Sequence, residues 1–227
     1  MNCRLFLLQM ADCFLIFKAL RTLYFNDMSS QTKTSLTPEE YLAIERKAET
    51  KSEYFAGEMF PLGSRGKSHD VFAMTGATRR HNLVAGNVFA ALHRQLAERP
   101  CEVYPSDMRV RVPATTLYTY PDVTVVCGEP KFEDDYLDTL LNPIVIVEVL
   151  SDSTEAYDRG KKFEQYQQIE TLCEYVLVSQ EPYRIEQYVR QAAAQWLYME
   201  THRAEDVVKL SSINCELAVK DVYAKVI

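Results

Sequence analysis

The run Ile144–Leu150, with sequence IVIVEVL, is the feature that most constrains the fold. A continuous run of β-branched residues is typical of a strand that is buried on both faces of a sheet. Glu148 lies inside this run. A buried carboxylate needs a partner, since an unpaired charge costs several kcal/mol or is neutralised by a shifted pKa. The run therefore predicts a central strand whose glutamate binds a cation, a hydrogen-bond cluster or a metal, and a structural ion pair is the alternative interpretation.

Asp122 raises the same question at a second predicted strand. It follows Pro121 and opens the apolar run 123–126. Taken alone, it is equally well explained as a turn residue at the start of a strand. Two carboxylates at the ends of neighbouring central strands can converge on one hard cation, and Mg²⁺ prefers oxygen ligands. Together, Asp122 and Glu148 predict a metal site.

Asp158, Lys162 and Tyr166 follow at intervals of four residues. On the predicted helix 155–169 this spacing places them on one face. Because this helix directly follows the Glu148 strand, Lys162 is a candidate for the same site. The alternative interpretation is a solvated Asp–Lys surface pair of little energetic weight.

The remaining pattern predicts an α/β (α+β) domain with a central mixed β-sheet flanked by helices. Thr37, Pro38 and Glu40 form a helix-start pattern with a capping box. Val84, Val88, Leu92 and Leu96 form the core stripe of a second helix. We predict helices at 37–48, 78–98 and 155–169. We predict a strand followed by a turn at 53–60, and strands at 108–112, 122–127, 144–150, 174–179, 184–189 and 195–200.

Residues 1–27 differ from the rest of the chain. The apolar run 5–17 is shorter than the roughly 20 residues that span a bilayer, and we expect no membrane partner. We interpret 1–27 as an extension outside the core, with a membrane-surface helix as the alternative. Met28 opens a polar leader, and we expect 28–227 to form a single domain without internal repeats.

The composition of the chain argues against several classes of protein. The net charge of −7 argues against a dedicated nucleic-acid coat protein, although a catalytic nucleic-acid partner depends on local fields. Glycine-rich phosphate-binding motifs do not occur. The six cysteines are widely spaced, and we interpret them as free thiols of a reducing cytoplasm and not as disulfides or zinc ligands. They are Cys3, Cys13, Cys101, Cys127, Cys173 and Cys215.

The ordered set of motifs resembles the Uma-type restriction endonuclease family, long known as a domain of unknown function, within the PD-(D/E)XK nuclease superfamily. The similarity extends from about Met28 to the C-terminus. The segments that carry it are 36–42, 54–58, 79–82, 120–123, 147–154 and 158–166. The resemblance implies a restriction-endonuclease-like core and metal-dependent hydrolysis of phosphodiester bonds.

Residue by residue, the resemblance assigns Asp122 and Glu148 as metal-binding acids, with the backbone carbonyl of Val149 as a further ligand. Glu53 matches an acidic residue from the N-terminal part of the core. The usual lysine two residues after the second acid is Leu150 here, and Lys162 matches the migrated lysine of the Uma-type pattern. The implied metal is Mg²⁺, with Mn²⁺ as a substitute.

A second departure is an insertion at 61–72, which is either a DNA-facing loop or inert. Residues 61–94 contain five basic residues and one acidic residue, a balance of 5 − 1 = +4, which favours a phosphate-facing surface. The candidate nucleic-acid contacts are Arg79, Arg80 and His81. For His81, a histidine in the protein interior is an equally good interpretation.

These features predict a cytoplasmic, Mg²⁺-dependent endonuclease that acts on DNA. Two alternatives remain: a nucleic-acid-binding module without turnover, and a metal hydrolase with a different substrate. A C-terminal aromatic surface suggests a homodimer. Its residues are Ile185, Tyr188, Trp196, Leu197 and Tyr198.

Overall fold

The computed structural model describes residues 35–62, 77–181 and 183–226. From Leu36 onward these residues belong to one compact unit. The predicted extension 1–27, the boundary at Met28 and most of the insertion at 61–72 lie outside the described residues.

The elements alternate between helices and short strands along the chain. The helices are α1 (Pro38–Glu45), α2 (Arg79–Leu96), α3 (Glu155–Tyr157), a π-helical turn (Asp158–Lys162), α4 (Phe163–Tyr166), a 3-10 turn (Ser211–Ile213) and α5 (Val219–Val222). The strands are β1 (Ser52–Phe55), β2 (Glu58–Pro61), β3 (Cys101–Pro105), β4 (Arg109–Val112), β5 (Leu117–Thr119), β6 (Val123–Cys127), β7 (Thr139–Leu140), β8 (Val145–Val149), β9 (Glu174–Val178), β10 (Ile185–Ala192), β11 (Gln195–Thr201), β12 (Val207–Leu210) and β13 (Cys215–Ala218).

Local sequence signals explain several of these boundaries. The predicted capping box at α1 is confirmed, since the Thr37 hydroxyl accepts from Glu40 N and the Glu40 carboxylate accepts from Thr37 N. Thr78 caps α2, which ends at Leu96. The strand and turn predicted at 53–60 are the first half of a hairpin, because Ala56 and Gly57 have φ of 49° and 88° and reverse the chain into β2.

A mixed six-stranded sheet with the order β11-β10-β9-β8-β6-β3 forms the centre of the fold. Strands β8 and β9 run parallel, and the other pairs are antiparallel. The crossover between β8 and β9 contains α3, the π turn and α4. A second sheet has the order β2-β1-β5-β4-β7, and β12 pairs with β13.

The central sheet is covered on both faces. On one face, Val145 and Val147 of β8 pack in a cluster with the predicted α2 stripe, of which Val88 and Leu92 are fully buried. On the other face, Ile146 packs with Phe163 and Tyr166 from the crossover. The predicted α/β class, a mixed sheet flanked by helices, is confirmed.

The interpretation of all cysteines as free thiols is wrong for one pair. Cys101 and Cys127 form a disulfide between β3 and β6. The sheet register places these two residues directly opposite each other, and no local spacing in the sequence signals a contact set by strand pairing. Cys173 and the buried Cys215 are free, and Cys3 and Cys13 lie outside the described residues.

The predicted helix 155–169 differs in detail. Regular helix ends at Tyr166, and the π turn interrupts it at Asp158–Lys162. The wider turn keeps Asp158 and Lys162 buried on the side of the sheet.

The predicted aromatic surface is smaller than expected. Ile185 is 1% exposed and belongs to the core, so its assignment to the surface is wrong. Leu197, Tyr198 and Met199 of β11 are 40–48% exposed. In the described part of the chain, no helix has both the length and the apolar character needed to cross a membrane.

Candidate active site

The two predicted metal-binding acids lie at adjoining ends of neighbouring strands, with Glu148 in β8 and Asp122 immediately before β6. Val123 of β6 pairs with Val147 of β8, so one further step of this antiparallel register places Asp122 opposite Glu148. Directly opposed residues project from the same face of a sheet. In addition, Val149 N donates to Oδ2 of Asp122 at 2.8 Å, which fixes the aspartate against the end of β8.

Lys162 brings a cation to this pair from the crossover. Its Nζ lies 2.9 Å from Oε1 of Glu148 and 3.6 Å from both Oε1 of Glu53 and Oδ1 of Asp158. Lys162, Glu148 and Asp158 are each less than a tenth exposed. The structure therefore brings two of the predicted catalytic acids, Glu53 and Glu148, to the ammonium group of the third predicted residue, Lys162. The fourth, Asp122, is linked to this group by its hydrogen bond from Val149 N, next to Glu148.

Two further side chains complete the hydrogen bonding of these carboxylates. The Tyr166 hydroxyl donates to Oε1 of Glu148 at 2.8 Å. The Thr119 hydroxyl donates to Oε1 of Glu53 across β5 and β1. The four-residue spacing predicts that Tyr166 shares a helix face with Lys162, but it does not predict the hydrogen bond to Glu148. No sequence pattern marks Thr119 as a site residue, because its contact with Glu53 depends on the pairing of β1 with β5.

The carboxylates outnumber the cations at this site. Burial raises the pKa of Glu148; Lys162 opposes this shift, while Asp158 and Asp122 add to it. Burial also raises the pKa of Asp158, again opposed by Lys162. For Lys162, burial lowers the pKa, but Glu148 and the groups around it outweigh burial and raise it well above its ordinary value. The lysine thus keeps its positive charge, and this charge favours the ionised form of the two buried carboxylates.

The donor set fits a hard cation held by few protein ligands. The contacts above use Oδ2 of Asp122 and Oε1 of Glu148, and each carboxylate has a second oxygen. Mg²⁺ is commonly bound by one or two carboxylates and retains several waters. Within residues 35–62, 77–181 and 183–226, no three or more His, Cys, Asp or Glu side chains form a metal-holding group, so a cation here would depend on two carboxylates, a backbone carbonyl and water for its ligands.

The three candidate nucleic-acid contacts lie in the first turn of α2 and differ in their surroundings. Arg79 donates to the carbonyl of Lys225, and Arg80 pairs with Glu181 at 3.2 Å on the surface. His81 lies in the interior, with Nε2 3.2 Å from Oδ2 of Asp122. Arg80 is therefore placed for contact with a ligand in solution, whereas His81 faces the carboxylate site.

This mixed sheet, with two acids on adjoining strands and a lysine from the following crossover, has the architecture of the restriction-endonuclease-like class. The family model described as "Uma2: Putative restriction endonuclease" matches residues 38–220. The chain belongs to this family.

Sequence relatives and one solved structure are consistent with this assignment. Two uncharacterized proteins of Synechocystis sp. are 37% and 35% identical over 169 and 188 residues, which cover 74% and 83% of this chain and 89% and 91% of the relatives. A crystal structure of "a putative nuclease belonging to DUF820" from Anabaena variabilis superposes with a TM-score of 0.65 at 15% identity. It covers 85% of this chain and 99% of that one, and it supports the fold.

Proposed function

We propose that this protein is a metal-dependent endonuclease that hydrolyses phosphodiester bonds of DNA. The observation that carries the proposal is the position of the Lys162 ammonium, 2.9 Å from Glu148, beside a second acid that the sheet register places opposite Glu148. Membership of a restriction endonuclease family favours DNA as the substrate, and a DNA substrate favours the cytoplasm as the location.

Asp122, Glu148 and the carbonyl of Val149 would hold Mg²⁺, or Mn²⁺ in its place. When bound, such a cation polarises a phosphoryl oxygen and lowers the pKa of a coordinated water. Glu53 assists this group through Lys162, which it contacts at 3.6 Å.

Lys162 acts as a cation in this scheme. Because the surrounding carboxylates raise its pKa, it retains its proton and does not serve as the base. Its N–H groups orient the attacking water and stabilise the negative charge that develops on the phosphate. Tyr166 donates to the same Glu148 oxygen and so keeps the carboxylate in one orientation.

Substrate binding would use the start of α2. Arg80 is half exposed and paired only with an exposed glutamate among the described residues, so a DNA phosphate can compete for it at little cost. Arg79 lies beside it. We further propose that the chain works as a homodimer through the exposed face of β11.

The test is nicking of supercoiled plasmid with Mg²⁺, together with calorimetric metal titration. Asp122→Asn and Glu148→Gln should abolish metal binding and cleavage, while Lys162→Met should abolish cleavage but retain metal binding. Glu174→Gln is the matched control, since Glu174 is an equally buried carboxylate whose hydrogen-bond donors, Gln187 Nε2 and Ser212 N, lie outside the cluster. This control should lower stability and leave metal binding unchanged.

Three outcomes would contradict the proposal. Unchanged metal binding in Glu148→Gln would reduce the glutamate to a structural ion pair. DNA binding without metal-dependent cleavage would favour the binding module. Turnover of a simple ester without any DNA cleavage would favour a hydrolase of another class.

A further inference from the structure

His81 lies in the first turn of α2, and its side chain contacts Asp122 of the candidate active site. The Thr78 hydroxyl accepts from His81 N at 3.1 Å and caps the helix, so the position of the ring is set by the start of a regular 18-residue element. The side chain is 7% exposed. A surface role in binding phosphate does not suit such a ring, because DNA cannot reach a buried imidazole without displacing the helix.

The ring contacts the carboxylate that we assign to the metal. Its Nε2 lies 3.2 Å from Oδ2 of Asp122, the same oxygen that accepts from Val149 N at 2.8 Å. The Val149 N–H fixes this oxygen, and the His81 ring lies against the same atom. They leave Oδ1 as the oxygen for a further ligand.

The His81 contact is close but not well aligned. Nε2 is buried and has no partner that meets hydrogen-bond angles. Hydrogen bonds at active sites are often poorly aligned in the empty state and tighten when the ligand binds. A purely structural histidine would be expected to have its polar atoms already paired.

We infer that His81 is a positioning residue, which holds Oδ2 of Asp122 so that Oδ1 is presented to the metal. This inference rests on the proposed function, because it requires Asp122 to bind a metal. Partners that orient a ligating carboxylate commonly change metal affinity by about 10–100-fold when removed.

The test compares His81→Ala and His81→Gln with Asn87→Ala in the full-length protein. Asn87 lies on the same helix and donates to the carbonyls of Val222 and Ala224, so its variant reports the effect of lost helix contacts alone. The readouts are Mn²⁺ affinity by calorimetry, the thermal midpoint and plasmid nicking.

We expect His81→Ala to weaken Mn²⁺ binding about 10–100-fold. His81→Gln should recover part of this loss, since its amide N–H can approach Asp122 from a similar distance. Asn87→Ala should lower the thermal midpoint without changing the affinity. If His81→Ala does not fold, the Gln variant and the control still provide the comparison.

Three results would overturn the inference. The first is an unchanged Mn²⁺ affinity in both His81 variants. The second is a loss of affinity in Asn87→Ala as large as that in His81→Ala. The third is a strong ¹⁴N coupling of imidazole to bound Mn²⁺ in electron spin-echo spectra, which would make His81 a ligand itself. A wild-type protein that neither binds Mn²⁺ nor cuts plasmid would instead refute the proposed function, and this inference with it.

Discussion

Lys162 reaches Glu148 from the crossover rather than from the strand that carries the glutamate. Leu150, two residues after Glu148, faces the same side of the sheet and packs in the cluster of Phe163 and Tyr166. This is the position where the superfamily pattern has its lysine. The chain therefore fills that position with an apolar side chain and supplies the ammonium group from the neighbouring π turn.

Moving the lysine back to the strand tests whether charge alone is needed. Lys162→Met should abolish plasmid nicking, and adding Leu150→Lys should restore part of it, because residue 150 lies on the same face as Glu148. Leu150→Met in the same background is the control for the loss of Leu packing and should restore nothing. Full activity of Lys162→Met would refute a role for this lysine, and no recovery in the double variant would show that its position matters as well as its charge.

The segment Glu155–Tyr166 shows at the scale of an element what sequence can and cannot predict. Spacing by four residues predicted that Asp158, Lys162 and Tyr166 share one face, and all three are buried in the structure. It did not predict the π turn, because hydrogen bonding to i−5 leaves no mark on the periodicity of so short a helix. Such single π turns are frequent at functional sites.

Elsewhere in the fold, features set by local sequence were likewise predicted, and features set by contacts between separate segments were missed. The β-branched runs predicted β6 and β8, because the apolar residues of each strand indicate by themselves that the strand is buried. Strand β5 was missed because three residues are too few to show an alternating pattern. The Cys101–Cys127 disulfide was missed because it depends on the pairing of two separate strands, β3 and β6. The same reason hid Thr119 from the candidate site.

Gly160 provides a test of the π turn. A Cβ added there would meet no atom within 4 Å, and the same holds for Gly86 in α2. Replacing a helical glycine by alanine reduces the entropy of the unfolded chain. Gly160→Ala and the control Gly86→Ala should each raise the free energy of unfolding by about 0.5–1 kcal/mol, measured by urea denaturation. A loss of stability in Gly160→Ala alone would show that the π turn requires glycine.

The loop between β6 and β7 is held to the end of α1 by charge. Arg46 contacts Asp138 at 2.8 Å and Asp134 at 2.7 Å. The hydrogen bond from Arg46 lowers the pKa of Asp138 to about 2, with burial opposing and Arg109 assisting. A depressed pKa means that the ionised form stabilises the fold, so this contribution is present above the unfolded value near 4 and is lost as the pH falls through about 2.

Arg46→Met should therefore destabilise the protein by about 1 kcal/mol at neutral pH. The difference from wild type should shrink as the pH falls from about 4 towards 2, as measured by urea denaturation at each pH. Arg94→Met, which removes an exposed arginine from α2, should show no such pH-dependent difference. A constant difference across this range would mean that Asp138 is not the group that titrates.

At the scale of the whole molecule, the two edges of the central sheet differ. Strand β3 is cross-linked to its neighbour by the Cys101–Cys127 disulfide. Strand β11 pairs only with β10 among the described residues and exposes Leu197, Tyr198 and Met199. An exposed apolar edge strand without lysine or proline is a template for pairing with another strand.

We propose a second copy of the chain as the occupant of this edge. Antiparallel pairing of β11 with itself, centred on Tyr198, places Leu197 opposite Met199. The only charged residue of the strand, Glu200, then lies opposite the uncharged Trp196, so no like charges meet. The arrangement is two-fold, as is the backbone of duplex DNA, and closed two-fold dimers are the commonest assemblies.

Tyr198→Lys tests this dimer, because it places two ammonium groups against each other at the two-fold axis, where like charges destabilise pairing. We expect wild type to have a dimer mass by light scattering at micromolar concentration and Tyr198→Lys to have a monomer mass with an unchanged thermal midpoint. Tyr136→Lys is the matched control, since Tyr136 is 72% exposed and lies far from β11 in the sequence; this variant should remain dimeric. A monomeric wild type, or a dimeric Tyr198→Lys, would refute the interface.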